Sequence, residues 1–524
     1  MLRRLVLYPF FFALYVVLVP LAENLGQVDP SQALRPLAVL VITVTAGLLL
    51  FYVLFRDWHY AAYLIFLVCV FFFLFGHLYR LAQERFSISN KATIVPLFLG
   101  LWGVLLGILS FKIVWSHLGG KKWMLPFFNL VFAVALVRPG YIVLTGTLFE
   151  PRQAHAAPVT NLPSPDGSTL DCSTRPDIYY IVLDAYGRED VMDTLYNLDN
   201  RPFLDYLNRK GFYVANESHS NYMQTVFSIP SSLNFTYIDP PQEGVNGLEY
   251  FSNLVKDNQI MSTLKRCGYR TVAFESGFYF TEHPDVDVYL SSDNNLNDFE
   301  SLLLADSPAN VLLERLNLQP PKYSYEAHRQ QVLYSFGKLA NLPKLPGPKI
   351  VFAHIISPHP PFVFDAKGRS VEPNQGYSLN DGDDFQGTLD EYRAGYAMQV
   401  QFVNQKMERV IDAILTKSST PPVIIIQGDH GPGSRLNWSS PAQSCLWERT
   451  SILNAYFLPD GGESKLYPSI SPVNSFRVVL NAYFGANLQL LPDRTYFTSQ
   501  RLERQAIDIT AERSSQLNCS PPGP

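Results

Sequence analysis

Cysteine is scarce in this 524-residue chain: there are five, one of which, Cys69, lies in an apolar run, while Cys172, Cys267, Cys445 and Cys519 lie beyond it. Four thiols allow at most two disulfides, as an oxidising compartment would favour, and their pairing stays open. A charge excess is also lacking. The 41 Lys and Arg against 46 Asp and Glu leave a net charge of −5, which supplies no electrostatic footprint for nucleic acid. No internal repeat recurs, which excludes a solenoid or array. Long apolar runs are missing after residue 150, so any membrane-spanning part ends there.

Before that point such runs dominate. Five stretches, 4–22, 36–55, 60–78, 94–116 and 124–147, reach the length of about 20 residues that a bilayer requires. The first could pass for a signal peptide, but four further spans favour a retained anchor. Arg3, Arg4, Arg56, Lys121 and Lys122 fall on one side of this bundle, and Arg35, Arg80, Arg85 and Lys91 on the other. The bias is weak and favours a cytoplasmic N-terminus. An odd number of spans then places the rest of the chain outside.

Residues 151–176, rich in Pro, Ala and small polar side chains, read as a linker. The apolar run Ile178–Leu183 that follows is of strand length and ends in Asp184. Further strands are predicted near 270–274, 349–356 and 423–427. Tyr392, Tyr396, Val403, Met407, Val410, Ile411 and Ile414 recur at helical spacing between the last two. Strand, long amphipathic helix and strand make a βαβ crossover. The expected architecture is an α/β/α sandwich with a mostly parallel central sheet over 177–515, and a tail over 516–524. Polar residues at the carboxyl ends of such strands converge on one edge, where open α/β sheets bind ligands.

Asp429 and His430 in "IIIQGDHGPG" offer a hard oxygen and a borderline nitrogen, with Gly428 and Gly431 free to bend the backbone around them. Asp184 either joins them or caps the following helix. Arg188 suits an anionic group or a neighbouring carboxylate. His359, between prolines in "SPHPPF", suits substrate oxyanions or proton transfer, whereas His354 within its strand reads as a hydrogen-bonded core residue. Glu275, Asp365 and the acidic run 381–385 read as structural or solvated. The segment "NYMQTVFSIPSSLN" presents Tyr222, Thr225, Ser228, Ser231 and Ser232, with Ser228 expected to cap a helix.

In this order, "IVLDAYGR", "TVFSIPSS", "SPHPPF" and "GDHG" resemble the alkaline phosphatase/sulfatase superfamily. The closer likeness is to its membrane-anchored branch, the lipoteichoic acid synthases and the phosphoethanolamine transferases of bacterial envelopes. The resemblance implies one divalent metal ion, Mn²⁺ by preference with Zn²⁺ or Mg²⁺ compatible, held by Asp184, Thr225, Asp429 and His430. It implies Thr225 as nucleophile, within a Thr-x-x-Ser-x-Pro pattern, and His359 as a substrate-binding residue; Arg188 is a further candidate for holding the substrate anion. A formylglycine-type sulfatase motif is not complete, because Ser232 stands where Arg is required. No second Asp/His set for a dinuclear site is found.

The implied activity is transfer of a phosphoglycerol- or phosphoethanolamine-type headgroup from a membrane phospholipid to an envelope glycan or lipid, through a phospho-threonine intermediate. The implied location is the bacterial inner membrane, with the catalytic domain extracytoplasmic. The alternatives are a membrane-anchored phosphatase, phosphodiesterase or atypical sulfatase, and a non-catalytic domain that binds glycans or partners.

Overall fold

The computed structural model describes residues 6–23, 33–86, 100, 102–105, 107–108, 124–148, 170–241, 245, 247–292, 298–305, 307–309, 324–372, 376–499 and 506–519. Two compact units emerge, Met1–His155 with Asn294–Ala327, and Ala156–Asp293 with His328–Pro524. The expected catalytic segment 177–515 is therefore interrupted by a stretch that assembles with the N-terminal helices.

In the first unit the helices are Tyr8–Glu23, Leu34–Phe55, Trp58–Phe86, Met124–Ala135 and Val137–Leu148. Among the described residues, Leu34–Phe55, Trp58–Phe75 and Leu125–Thr145 are long and apolar enough to cross a membrane, and Tyr8–Ala22 is apolar but shorter. Three spans thus stand where five were expected; most of the expected span 94–116 lies outside the described residues. Tyr8, Phe12, Phe66, Phe128 and Phe132 interlock edge-on or tilted at the centre. The amide oxygen of Asn129 accepts the Tyr8 N–H at 2.8 Å, satisfying a helix-end donor that lipid could not. Ile42, Leu130 and Val137 stay about two-thirds exposed, an arrangement stable only against an apolar solvent. The inserted helix Asp298–Ala305 lays Phe299 and Leu303 on Val17, Leu21 and Ala33, and Glu300 pairs with Arg35.

The second unit is built on a seven-stranded sheet whose strands, from edge to edge, are Tyr213–Val214, Asn454–Phe457, Val423–Gln427, Ile178–Leu183, Lys349–Ile355, Arg270–Phe274 and Val288–Leu290. The strands are β1 (Ile178–Leu183), β2 (Tyr213–Val214), β3 (Arg270–Phe274), β4 (Val288–Leu290), β5 (Lys349–Ile355), β6 (Val423–Gln427) and β7 (Asn454–Phe457). β6, β1, β5, β3 and β4 run parallel, and β7 and β2 add an antiparallel edge. β1, flanked by β5 and β6, is buried along its whole length, which is why it reads as an unbroken apolar run. Tyr180 and Val182 join Ile229, Leu233, Leu264, Phe476 and Val479 in one core layer. The alternate residues face the other way. The helix Leu389–Lys417, opened by a Thr388/Glu391 capping box, packs with Glu189–Tyr196 and Arg201–Arg209. Cys172 bonds Cys267, and Cys445 bonds Cys519, so the four thiols form the two expected disulfides.

Candidate metal centre and active site

β5, β3 and β4 lie on one side of β1 and β6, β7 and β2 on the other, so the connections depart to both sides of β1 and its carboxyl end is a switch point. Asp184 follows β1 directly there, and Asp429 and His430 follow β6. Ala185 takes a left-handed φ of 61°, a strained conformation for a residue with a Cβ. The turn aims its N–H at Asp429 Oδ1, 3.2 Å away.

Gly428 and Gly431 are needed for close approach rather than for the bend expected of them. Neither has a positive φ. A Cβ on Gly431 would lie 2.1 Å from the Glu448 carbonyl oxygen, and one on Gly428 would lie 2.4 Å from that of Tyr186.

The His430 ring sets the electrostatics of the site. Its Nδ1 lies 3.0 Å from the Gly431 carbonyl oxygen, which can only accept, so Nδ1 carries the proton. Burial first, then the nearby Arg449 charge, push the imidazole pKa down and favour the neutral ring. Nε2 therefore presents a lone pair. Thr225 Oγ1 lies 3.1 Å from it, Asp429 Oδ2 3.4 Å and Asp184 Oδ1 3.5 Å. Those two carboxylate oxygens are buried and lack a hydrogen-bond partner. Two buried carboxylate oxygens converging on one point repel one another unless a cation sits between them.

The other oxygen of each carboxylate is held: Asp429 Oδ1 by the Ala185 N–H, and Asp184 Oδ2 by His354 Nε2 at 3.1 Å. His354 Nδ1 in turn meets Thr281 Oγ1 at 2.9 Å. Burial alone would raise the Asp184 pKa, but His359, His354 and His430 together hold its carboxyl well below the usual range. Asp184, Asp429 and His430 form a buried group that fits a divalent cation. Two carboxylates, an imidazole and a hydroxyl suit Mn²⁺, Zn²⁺ or Mg²⁺.

Thr225 is the first residue of the helix Thr225–Leu233, with Gln224 as its N-cap. The helix thus starts a turn earlier than expected. Ser228 is inside it rather than capping it, with its hydroxyl donated to the Tyr222 carbonyl. The positive end of the helix dipole faces the Thr225 oxygen and any anion formed there.

Thr225, His359, Asp184 and His430 line one cavity together with Gln224, Phe278, Asp381, Trp438 and Arg449. The structure does not bring Arg188 there. Its guanidinium is paired with Asp190 through Nε and Nη2 at 2.8 Å each, and Nη1 donates to the Ser218 carbonyl at 3.0 Å. Of its two sequence readings, the neighbouring carboxylate is the one realised.

Asp381 departs from expectation in the other direction. It belongs to the acidic run read as a solvated loop, yet it is buried. It accepts from Tyr392 Oη at 2.7 Å and from Arg449 Nη1 at 2.5 Å, with His359 Nε2 at 3.8 Å. His354, Asp381 and Arg449 are the site residues that sequence reasoning did not assign. A strand histidine, one acid among three and a lone arginine carry no spacing pattern.

No curated protein sequence matches the chain. Solved structures are similar to it at low identity. The periplasmic domain of EptC from Escherichia coli, as a zinc complex, is 12% identical over 67% of this chain and 98% of that one, with a TM-score of 0.43. The lipoteichoic acid synthase LtaP from Listeria monocytogenes is 13% identical over 64% and 80%, with a TM-score of 0.39. The periplasmic domain of the phosphoethanolamine transferase EptC from Campylobacter jejuni is 14% identical over 59% and 89%, with a TM-score of 0.35. The sulfatase family model matches residues 176–467. That is more than half of the chain and includes every residue of the converging site, and so this protein belongs to the sulfatase family.

Proposed function

We propose that this chain is a membrane-anchored transferase that moves a phospho-linked headgroup, of phosphoglycerol or phosphoethanolamine type, from a phospholipid to an envelope glycan or lipid. One observation carries the reading: the Thr225 hydroxyl lies 3.1 Å from the unprotonated Nε2 of His430, beside two orphaned carboxylate oxygens. A divalent ion held by Asp184, Thr225, Asp429 and His430 would lower the pKa of a ligated hydroxyl and counter charge on phosphoryl oxygens.

Thr225 Oγ attacks phosphorus. The Oγ–P bond forms as the P–O bond to the lipid alcohol breaks, and the hydroxyl proton ends on the departing alkoxide. The acceptor hydroxyl then attacks the phospho-threonine, the P–Oγ bond breaks, and Thr225 regains a proton. His359, whose Nδ1 is tied to the Pro360 carbonyl at 2.5 Å, keeps Nε2 facing the cavity to contact the oxyanion or carry that proton.

Three features support this over a formylglycine sulfatase acting on soluble esters. Ser228 spends its hydroxyl on a backbone carbonyl, and Ser232 replaces the arginine of that motif. The apolar spans raise the effective concentration of a lipid-borne donor. The two disulfides fit an extracytoplasmic domain of an inner-membrane protein.

The test is intact-mass and peptide mass spectrometry of the full chain with Mn²⁺ and vesicles of phosphatidylglycerol and phosphatidylethanolamine. A headgroup-phosphate adduct on Thr225, absent from Thr225→Ala, is expected. Lipid turnover by Thr225→Ala at the wild-type rate would end the reading.

A further inference from the structure

Arg449 is among the largest fully buried side chains of the protein, yet it lines the cavity that holds Thr225. A buried guanidinium must place all its donors. Nε donates to the Met223 carbonyl at 2.9 Å, and Nη1 to Asp381 Oδ2 at 2.5 Å and to the Gly431 carbonyl at 3.1 Å. The Trp438 ring covers its face, with the guanidinium carbon 5.3 Å from the ring centroid. These contacts fix the plane of the group. Nη2 differs: its partner is His430 Nε2 at 3.3 Å, the lone pair that a metal ion would take.

We infer that Arg449 is a catalytic residue that grips a non-bridging oxygen of the transferred phosphoryl group through Nη2, while Asp381 holds the rest of the fork in place. This rests on the transfer reading above. When His430 gives its lone pair to a cation, the Nη2 hydrogen loses its acceptor inside the cavity. A substrate oxyanion seated against Thr225 replaces it with a stronger, charge-assisted acceptor. Arg449 thereby takes the role that the sequence suggested for Arg188, which is spent on Asp190. Asp381 also keeps the guanidinium electrically balanced in the absence of substrate, and so tolerable beside a cation. Gly433 makes room for that carboxylate: a Cβ there would lie 2.7 Å from Asp381 Oδ2.

The test is calorimetric titration of inorganic phosphate into the Mn²⁺-loaded full chain in detergent. Arg449→Gln is expected to weaken phosphate binding roughly 10- to 100-fold, with Mn²⁺ uptake no weaker. Arg449→Lys, which keeps the charge but not the fork, should fall between. Equal phosphate affinity in Arg449→Gln overturns the inference.

Should that variant not fold, a structure of the wild-type chain with Mn²⁺ and tungstate decides. Nη2 within hydrogen-bond distance of the oxyanion supports the assignment, and an oxyanion bound out of its reach overturns it. A wild-type protein that binds no phosphate overturns this inference and the transfer reading together. Phosphate binding that depends on Arg449 without any Thr225 adduct removes only the transfer step.

Discussion

His354 shows how a single residue can shape a candidate metal site from behind one of its carboxylates. Its Nε2 holds Asp184 Oδ2, which leaves Oδ1 aimed at the point shared with Asp429 and His430. Groups behind a metal ligand typically set its affinity by 10- to 100-fold. His354→Ala should weaken Mn²⁺ binding by about that factor, because Asp184 loses its fixed rotamer and a buried oxygen loses its donor. Thr281→Val removes only the contact at 2.9 Å to the far ring nitrogen and should cost less. Titration followed by electron paramagnetic resonance reads both, and an unchanged Mn²⁺ affinity in His354→Ala would remove this role. The convergence of Asp184 with Asp429 and His430 was legible in the sequence because each follows an apolar strand, and this topology sends strand ends to one edge. His354, Asp381 and Arg449 were not. Their meaning lies in partners 170 residues away for His354 and 68 for the Asp381–Arg449 pair, and no local pattern encodes such a contact.

At the scale of elements, apolar strand cores announced themselves and short edge pieces did not. The predicted strands at 178–183, 270–274 and 423–427 coincide with β1, β3 and β6, since a buried parallel strand must be apolar on both faces. β2, β4 and β7 are two to four residues long, too short to show any periodicity. The short helix Leu446–Thr450, which carries Glu448 and Arg449, was equally invisible. It is held from outside its own sequence. Cys445 caps it through its sulfur and is bonded to Cys519, and the Trp447 N–H donates to the Ser515 carbonyl at 3.2 Å. The chain segment closed by that disulfide spans 74 residues, so the chain-entropy argument gives it on the order of 4 kcal/mol. Cys445→Ser with Cys519→Ser should lower urea stability by up to that amount. It should also impair phosphate binding more than Cys172→Ser with Cys267→Ser, whose disulfide lies away from the cavity-lining helix. Equal effects of the two pairs on phosphate binding would show that the tail does not steady Arg449. Gly433→Ala probes the same element from the other side. Its new Cβ would press on the Asp381 carboxylate, and a loss of 1–3 kcal/mol is the usual cost of such overpacking, read as a drop in the urea midpoint.

For the whole molecule, the deciding quantity is how a domain with many buried imidazoles responds to acid. Burial, ahead of the charges of Arg188 and Arg513, pushes the His219 pKa down to about 3. Burial likewise pushes His283 and His328 down to about 4. None of the three is among the proposed metal ligands. In the unfolded chain each titrates near 6.5. Between about pH 6.5 and about pH 4 the unfolded state therefore takes up protons that the folded state refuses. The contribution of these residues is fully present above pH 6.5 and is lost as pH falls, at up to about 1.4 kcal/mol per pH unit for each histidine. Asp184 and Asp381 act in a lower window. Their folded pKa values lie below the ordinary carboxylate value, so their contribution persists above about pH 4 and is lost only beneath it. Urea titrations of the full chain in detergent at pH 7.0, 5.5 and 4.5 should thus show stability declining before the carboxylates titrate. His219→Gln and His328→Gln, neutral at every pH, should each flatten the slope between pH 6.5 and 4.5 even where they lower stability at pH 7. A flat profile down to pH 4.5 in the wild-type chain would mean that these imidazoles are protonated in the folded state, and that the packing described around them admits a charge.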